Sequence, residues 1–580
     1  MSGDRIQRFS IRVLNAPLSH LRQHMKVQVS ELIVKYLERL GIDTIFGMPG
    51  AHILPVYDSL YDSDIQSVLV KHEQGAAFMA GGYARASGRI GACIATAGPG
   101  ATNLVTGIAN AYADRQPILA ITGEAPTYIF GKGGLQESSG EGGSVDQSAI
   151  FRGITKYHRI IERTDYLANV LNQASKALLA DTPGPVLLSL PYNIQKEMVD
   201  LDILDTIKTD RRTCLHNHAN PLIHQLASHL AKAEAPVIVS GYGCIRSGAR
   251  QLLTRLSEQY NIPVTSTLKG KGAINEDSPL SLGSLGVTSS GYAYDYIVNH
   301  ADLVLVLGAS FNERTSYLWN NKLLGGKTVL QVDTNDEQLE KVYTADIAIN
   351  ADISEVLTGI LQQLKTMDGA RKALTDIPGY KKILETRAGH QGSSILQLDF
   401  SLVKSFFEKL GAHFPEGITV FDDNIIFAQN LFKVTGASRY HPNSGISSLG
   451  HAIPAAIGAQ FSETTTTFVL IGDGGFQMCC MELMTAVNYS IPLNVVMFNN
   501  STMGLIRKTQ HQQYQERYID CDFTNPDYAR LASAFGIQHL RVATEADLSN
   551  MFATTDFTRG INLVEIMIDK DTFPNYSSRR

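Results

Sequence analysis

The 580-residue sequence predicts an α/β protein in which three open, doubly wound parallel sheets follow one another along the chain. Apolar runs with the length of buried strands alternate with segments of helical spacing. Forty-nine glycines, many of them directly after such a run, suit turns at which the backbone approaches a ligand. The length exceeds what one hydrophobic core can organise and predicts three or four domains.

Composition and charge exclude several classes of partner. The formal net charge of −6 lacks the basic excess of a nucleic-acid-binding protein. The sequence has no apolar run long enough to cross a membrane. The six cysteines are scattered without metal-ligand spacing, as in a reduced cytoplasmic protein.

Residues 1–25, with four arginines and one acidic residue, are predicted to be an N-terminal extension, and an organellar presequence is the alternative.

The first predicted domain spans residues 26–195. A helical pattern and a short strand lead to a turn that contains Pro49 and Gly50. A second strand ends just before Glu73, which opens a helix of small residues. Taken alone, Glu73 fits a glutamate that stabilises the helix dipole. Gly98 and Asn103 follow the next strand, and residues 129–148 form a glycine- and serine-rich loop, which is either disordered or an active-site element.

A second parallel sheet is predicted in residues 215–365, which we treat as a central domain. Gly241 and Gly243 follow a strand, and Asp333 ends a later strand. This is part of a dinucleotide-binding pattern. The full glycine fingerprint is missing, which disfavours a nicotinamide-dependent dehydrogenase.

The third predicted domain, residues 395–580, contains the most specific pattern. The strand Phe468–Ile471 ends in Gly472-Asp473-Gly474-Gly475, and the strand Leu493–Phe498 ends in Asn499-Asn500. Because parallel strands present their carboxyl ends at one edge of a sheet, Asp473 and Asn500 are expected to lie together. A carboxylate and an amide oxygen suit Mg²⁺ bound to a diphosphate. The alternative is an ordinary strand–turn–helix corner without a ligand.

The order of these motifs resembles the thiamine-diphosphate (ThDP)-dependent carboligases and decarboxylases, and among them the acetolactate synthases. The resemblance is carried by FGMPG, KHE, AGPGATN and DRQPILAITG in the first domain, and by GDG, 24 intervening residues and NN in the third. It implies a pyrimidine-binding, a central and a diphosphate-binding domain. It also implies ThDP and Mg²⁺ as cofactors, and a homodimer or homotetramer with the active site at the subunit interface.

The resemblance assigns roles to individual residues. Glu73 would hydrogen-bond N1′ of the aminopyrimidine and favour the tautomer that deprotonates the thiazolium C2. Leu449 would wedge between the cofactor rings and bring those atoms together. Gln136 and, with less specificity, His72 would contact the substrate. Asp473, Asn500 and the Thr502 carbonyl would hold the metal. The cofactor-binding candidates are Pro49, Gly50, Glu73, Gly98, Asn103, Asp423, Leu449, Gly472, Asp473, Gly474, Gly475, Asn500, Thr502, Met503 and Gly504.

The implied reaction is that of a carboligase or decarboxylase of 2-keto acids, and most closely the conversion of two pyruvates to 2-acetolactate and CO₂. Two positions differ from the acetolactate synthase pattern: Leu135 stands where a phenylalanine is usual, and Thr509 where a tryptophan shapes the acceptor site. Arg507 and Lys508 are predicted to form a solvated helix face, with a carboxylate site as the alternative.

Three alternatives stay open. The first is an FAD-dependent pyruvate oxidase. FAD would be held by residues of the central domain, and the candidates are Gly241, Lys269, Gly270, Arg314 and Asp333. The segment around Trp319 is instead closer to carboxyethylarginine synthase, a carboligase with another acceptor that does not use FAD. The third alternative is a regulator without activity, against which the retention of Glu73, Asp473 and Asn500 argues.

Overall fold

A computed structural model describes residues 25–209, 221–367 and 400–574. Predictions for residues 1–24, 210–220, 368–399 and 575–580 lie outside the described residues. No helix of the described part is long and apolar enough to span a bilayer. The strands, in chain order, are β1 (Lys26–Gln28), β2 (Thr44–Gly47), β3 (Gln66–Leu69), β4 (Gly91–Ala95), β5 (Ile118–Glu124), β6 (Tyr157–Ile160), β7 (Val186–Pro191), β8 (Met198–Asp200), β9 (Pro236–Ser240), β10 (Val264–Ser266), β11 (Ser281–Ser284), β12 (Leu303–Leu307), β13 (Thr328–Asp333), β14 (Ile347–Asn350), β15 (Thr419–Asp422), β16 (Arg439–Pro442), β17 (Thr467–Gly472), β18 (Leu493–Asn499), β19 (Gln538–Val542) and β20 (Ile561–Met567).

Helices connect the strands and cover the sheets. The α-helices of the described residues are Val29–Arg39, Leu54–Tyr61, Glu73–Ser87, Pro99–Asn103, Val105–Ala113, Gln147–Arg152, Leu167–Leu178, Tyr192–Gln195, Pro221–Lys232, Tyr242–Arg246, Arg250–Tyr260, Tyr292–Asn299, Ile353–Thr366, Ser401–His413, Ile426–Leu431, Ala452–Gln460, Asp473–Cys479, Leu483–Asn488, Gly504–Gln513, Tyr528–Phe535 and Glu545–Thr554. Short 3₁₀ helices span Ala51–Ile53, Thr127–Ile129, Leu201–Thr206, Asp336–Gln338 and Cys480–Glu482. The 3₁₀ turn Cys480–Glu482 separates the helices Asp473–Cys479 and Leu483–Asn488.

Three six-stranded parallel sheets confirm the predicted fold class. Their strand orders are β3-β2-β4-β5-β7-β6, β11-β10-β9-β12-β13-β14 and β16-β15-β17-β18-β20-β19. A separate two-stranded antiparallel sheet, which the sequence did not predict, pairs β1 with β8. In each six-stranded sheet the first strands of the chain are added on one side of the starting strand, and the later strands are added on its other side. The resulting switch points, where such sheets bind ligands, lie between β2 and β4, between β9 and β12, and between β15 and β17.

The first and third sheets are joined by two helices made largely of small residues. Helix Glu73–Ser87 packs against helix Ala452–Gln460 so closely that a Cβ added at Gly82 would lie 1.9 Å from the carbonyl oxygen of Ala455. A Cβ added at Gly458 would lie 2.0 Å from the carbonyl oxygen of Met79. Glycine at these positions lets the two backbones touch, and this contact fixes the helix that carries Glu73.

Adding a methyl group at this contact is expected to destabilise the protein. Gly82→Ala forces the two helices apart, and we expect the free energy of unfolding to fall by about 1–3 kcal/mol in urea titrations. Gly411→Ala is the matched control, because Gly411 is an exposed helical glycine with no atom within 4 Å of an added Cβ. There helix propensity predicts a gain of about 0.5–1 kcal/mol. Equal stability of the two variants would contradict the close contact.

Candidate active site

A cavity of about 350 Å³ opens at the switch point between β15 and β17, at the carboxyl edge of the third sheet. We call it the first cavity. It brings together ten of the candidate residues: Asp423, Leu449, Gly472, Asp473, Gly474, Gly475, Asn500, Thr502, Met503 and Gly504. Residues that lie up to 81 positions apart in the chain therefore line one cavity, as the predicted order of the parallel strands requires.

Asp473 is the acidic centre of this cavity. It is the first residue of its helix and 1% exposed. Its Oδ1 accepts a hydrogen bond from the amide of Gly474 (3.0 Å), and its Oδ2 accepts one from the amide of Ser501 (2.6 Å). Burial raises the pKa of Asp473 despite these bonds. A nearby cation would offset the cost of the buried charge, so the environment suits a metal-bound carboxylate.

Asn525 holds the two halves of the motif together and was missed by the sequence analysis. Its Nδ2 donates to Asp473 Oδ2 (2.8 Å), to Asn499 Oδ1 (2.8 Å) and to Ser501 Oγ (3.2 Å). One amide group therefore bridges the ends of β17 and β18. Its only local signal is an Asn-Pro-Asp sequence before a helix, which does not distinguish a bridge from an ordinary turn.

The residues after β18 leave room for a phosphate-bearing ligand. The side chain of Asn500 accepts from the amide of Thr502 (3.3 Å), and the hydroxyl of Thr502 donates to the carbonyl oxygen of Cys521 (2.9 Å). The Thr502 carbonyl is the third predicted metal ligand. A Cβ added at Gly472 would meet no atom within 4 Å, so glycine keeps this part of the cavity wall open. The donor set and the open wall fit Mg²⁺ with a diphosphate.

Asp423 shapes the turn that carries Leu449. Its carboxylate accepts from the amides of Gly450 (2.8 Å) and His451 (3.1 Å), at the start of helix Ala452–Gln460. Burial raises the pKa of Asp423 to about 6. Gly450 has a φ of +81°, which glycine adopts without strain. Asp423 thereby places Leu449 at the cavity wall.

The remaining cofactor candidates form a second group in the first domain. Glu73 begins its helix, is 8% exposed, and its Oε2 accepts from Asn103 Nδ2 (2.9 Å). Gly98 has a φ of +59°, and its amide donates to Ser138 Oγ (3.1 Å). Pro49 is exposed beside Gly50 in the turn after β2. These residues surround the switch point between β2 and β4.

Gln136 extends this second group. The Oε1 of Gln136 lies 3.2 Å from Nδ1 of His52. A Cβ added at Gly98 would lie 3.0 Å from the Cβ of Gln136. The loop around it is held by Glu137, which accepts from the amides of Gly131 (2.6 Å) and Gly134 (2.9 Å). These contacts favour the active-site alternative for the glycine- and serine-rich loop. His52 was missed because nothing in its local sequence marks it.

Within a single chain, the residues of the first domain do not line the first cavity. None of the described residues that line the first cavity belongs to residues 26–195. The groups are linked instead through Glu482, whose Oε1 accepts from the amides of Lys71 (3.1 Å) and His72 (2.9 Å), just before Glu73. Glu482 follows the helix that begins with Asp473, so the position of Glu73 depends on the third domain of the same chain.

Removing the Glu482 carboxylate is expected to loosen this link. Glu482→Ala leaves the amides of Lys71 and His72 without this acceptor and creates a cavity at the buried Glu482 side chain, so the free energy of unfolding should fall by about 2–4 kcal/mol. Glu482→Gln keeps one acceptor oxygen and should lose less than half as much. Urea unfolding of the two variants checks this, and equal losses would show that the amides do not depend on the carboxylate.

The candidates for FAD separate into two sets. Lys269, Arg314 and Asp333 line a second cavity of about 320 Å³ between the central and neighbouring domains. Gly241 and Gly270 do not line it. A Cβ added at Gly241 would lie 1.9 Å from the carbonyl oxygen of Gly308, and one at Gly270 would lie 2.4 Å from that of Ser240. These two glycines allow neighbouring turns to pack against each other.

Lys269, Arg314 and Asp333 leave a flavin site chemically feasible. Burial raises the pKa of Asp333, whose Oδ1 accepts from the amide of Asn335 (2.8 Å). The Nζ of Lys269 is paired with Asp114 Oδ1 at 2.5 Å. Arg314 lines both the first and the second cavity.

The prediction that Arg507 and Lys508 form a solvated helix face is wrong. Arg507 is 5% and Lys508 1% exposed. The Arg507 guanidinium pairs with Asp522 (2.8 Å) and Asp571 (2.5 Å), carboxylates 15 and 64 residues further along the chain. Burial lowers the pKa of Lys508 to about 8. Thr509, on the same helix, forms no part of the first cavity wall.

Comparison with known proteins matches all three domains. Residues 27–149 match the N-terminal TPP-binding domain of thiamine pyrophosphate enzymes, residues 223–360 their central domain, and residues 424–566 their C-terminal TPP-binding domain. TPP and ThDP are two abbreviations for the same cofactor.

Curated relatives cover most of the chain. A probable acetolactate synthase large subunit of Methanocaldococcus jannaschii is 33% identical over 564 residues, 93% of this chain and 92% of the relative. The acetolactate synthase isozyme 2 large subunit of Escherichia coli is 32% identical over 545 residues, 93% of this chain and 95% of the relative. With its three domain matches and these full-length similarities, the chain belongs to the family of thiamine pyrophosphate enzymes.

Proposed function

We propose that this protein is a ThDP- and Mg²⁺-dependent carboligase of 2-keto acids that converts two molecules of pyruvate to 2-acetolactate and CO₂. The observation that carries the proposal is the first cavity, in which Asp473, Asn500 and Leu449 stand together at the end of the third sheet. The similarity to proteins named acetolactate synthase supports the choice of reaction.

The residues of the first cavity have distinct tasks in this proposal. The Asp473 carboxylate, the Asn500 amide oxygen and the Thr502 carbonyl hold the metal and, through it, the diphosphate. Bound ThDP supplies an electron sink that lets a carboxyl group leave as CO₂. The apolar side chain of Leu449 orients the cofactor, and neighbouring phenylalanines keep water from the reacting carbon. These phenylalanines are Phe400, Phe427 and Phe498.

Glu73 provides the acid–base function. Its carboxyl is buried and fixed by Asn103 at 2.9 Å, so it can share a proton with a pyrimidine nitrogen in one defined geometry. Gln136 and His52 contact each other at 3.2 Å in the first domain, and in this proposal they contact the substrate's polar groups.

We infer that a homodimer completes each active site. The first cavity draws no wall residue from residues 26–195 of its own chain, within the described residues. Glu73 of a second copy therefore has to face this cavity for acid–base chemistry on the same cofactor. In a C2 dimer the arrangement occurs twice. A homotetramer would contain two such pairs.

Product analysis tests the proposed reaction. The purified protein is incubated with ThDP, Mg²⁺ and pyruvate, and the products are separated and identified. The proposal predicts CO₂ and 2-acetolactate in equal amounts. Release of acetaldehyde or acetate in place of acetolactate would contradict the carboligase reaction.

A flavin-dependent oxidase of pyruvate is the second candidate, because Lys269, Arg314 and Asp333 of the central domain line the second cavity. It predicts a yellow protein that consumes oxygen with pyruvate. A colourless and active protein would exclude it. The carboxyethylarginine-synthase-like alternative finds less support, since Trp319 lines neither the first nor the second cavity and is 52% exposed.

A further inference from the structure

The turn that leads into Glu73 follows an edge strand of the first sheet. This strand, β3, is paired on one side only, with β2. On its other side the hydroxyl of Tyr489 accepts from the amide of Leu69 (2.7 Å) and donates to the carbonyl oxygen of Ser67 (3.4 Å). Tyr489 belongs to the third domain. That domain therefore supports, together with the first sheet, the backbone that precedes Glu73.

Glu482 is a second anchor from the third domain and is almost completely enclosed. It is 4% exposed, and its Oε1 accepts from the amides of Lys71 (3.1 Å) and His72 (2.9 Å). A Cβ added at Gly75 would lie 2.7 Å from Cδ of Glu482. The carboxylate is thus seated against the first turn of helix Glu73–Ser87, where the helix dipole favours a negative charge.

Two domains share the task of fixing Glu73. Asn103 of the first domain donates to its Oε2 (2.9 Å), whereas Glu482 of the third domain holds the two amides that precede it. A group that transfers protons has to stay within about 0.5 Å of its productive position. A misplacement of about 1 Å can cost about a hundredfold in rate. Support of the backbone is therefore as important for Glu73 as the contact to its carboxyl.

We propose that Glu482 is a positioning residue, which acts through the backbone of Lys71 and His72 on the acid–base chemistry of Glu73. The inference rests on the proposed function, in which this Glu73 serves the active site that contains Asp473 of a second copy. Glu482 follows Asp473 of its own chain in sequence. It nevertheless sets the geometry of the other active site of the dimer.

Steady-state kinetics of the full-length protein, saturated with ThDP and Mg²⁺, test the positioning role. Glu482→Ala should lower kcat at least about tenfold, while the KM for pyruvate and the ThDP affinity change less than about threefold. A residue that is needed only for folding would lower the stability and leave kcat of the folded protein unchanged. Wild-type kcat in Glu482→Ala would therefore overturn the proposal.

Glu482→Gln separates the hydrogen bonds from the mere size of the side chain. Its amide oxygen can still accept from the two backbone amides, and its NH₂ group can donate to the hydroxyl of Thr485, which lies 2.8 Å from Oε2 of Glu482. We expect kcat to return to within about threefold of the wild type, because the backbone before Glu73 is again held. A glutamine variant as slow as Glu482→Ala would contradict the role of these hydrogen bonds.

Gly75→Ala perturbs the same contact in case Glu482→Ala does not fold. The added methyl group pushes the carboxylate of Glu482 away from the amides, and kcat should fall at least about threefold. Gly359→Ala is the matched control. Gly359 is a buried helical glycine of the central domain, where an added Cβ would lie 2.8 Å from Cγ2 of Ile223. This control should lose stability and keep its kcat, and equal kcat in the two variants would contradict the inference.

Mixed dimers show which active site Glu482 serves. In a mixture of Glu73→Gln and Asp473→Ala chains, the working site takes its Glu73 from the Asp473→Ala chain. Adding Glu482→Ala to that chain should lower the activity at least about fivefold more than adding it to the Glu73→Gln chain. An equal loss from the two chains, or a larger loss from the Glu73→Gln chain, would overturn the inference. The parent mixture reports on the shared site alone, so a failure of the proposed dimer is distinguished from a failure of this inference.

Discussion

Asp473→Ala is expected to weaken Mg²⁺-dependent ThDP binding by at least about a hundredfold, because even residues that only support metal ligands are worth about 10- to 100-fold in affinity. The substitution removes the carboxylate of the first cavity and the acceptor of the Ser501 and Asn525 hydrogen bonds. Titration of the purified variant with ThDP, with and without Mg²⁺, measures the effect.

Asp352→Ala is the control for this substitution. Asp352 caps the helix Ile353–Thr366 in the central domain and accepts from the amide of Ser354 at 2.8 Å. Its loss should cost about 1 kcal/mol of stability and leave ThDP affinity unchanged. If Asp473→Ala bound ThDP as tightly as the wild type, the assignment of the metal site would be wrong.

Glu73→Gln is expected to lower kcat by about 10²- to 10⁴-fold, the usual contribution of a positioned acid–base group. The amide keeps the size of the side chain, so the helix and the first cavity should remain intact. ThDP affinity should change less than tenfold, which separates this variant from Asp473→Ala. Steady-state rates and ThDP titration of the same preparation provide both numbers.

Glu31→Gln tests whether the loss of kcat in Glu73→Gln comes only from the lost interaction with the helix dipole. Glu31 is an acidic residue in the first turn of helix Val29–Arg39, as Glu73 is in its own helix. Both variants remove the same interaction with the helix dipole. We expect Glu31→Gln to be fully active. Unchanged turnover in Glu73→Gln would instead favour a purely structural glutamate.

Local sequence was sufficient where a strand ends in a distinctive turn. The apolar run before Gly472 and the one before Asn499 predicted two parallel strands, β17 and β18, which are neighbours in the third sheet. The placement of Asp473 beside the Asn499-Asn500 turn then followed from the geometry of parallel strands. The roles of the individual residues remain predictions until the variants are measured.

Long-range contacts were beyond the sequence analysis. Glu482 binds the amides of Lys71 and His72, which are 411 and 410 residues away, and no local pattern announces such a pair. Arg507 lies in a polar segment that is typical of solvent exposure. It is buried because carboxylates from two later loops neutralise it. Tertiary pairing therefore overrode the local polarity.

The central claim is that each active site combines Asp473 of one chain with Glu73 of another. Co-expression of Glu73→Gln and Asp473→Ala chains tests it directly, with each variant alone as the control. In a mixed dimer one site carries both substitutions and the other carries neither. With random pairing, the shared site predicts about one quarter of wild-type activity in the mixture, although each variant alone is nearly inactive. Activity in the mixture no higher than that of the separate variants would contradict the shared site.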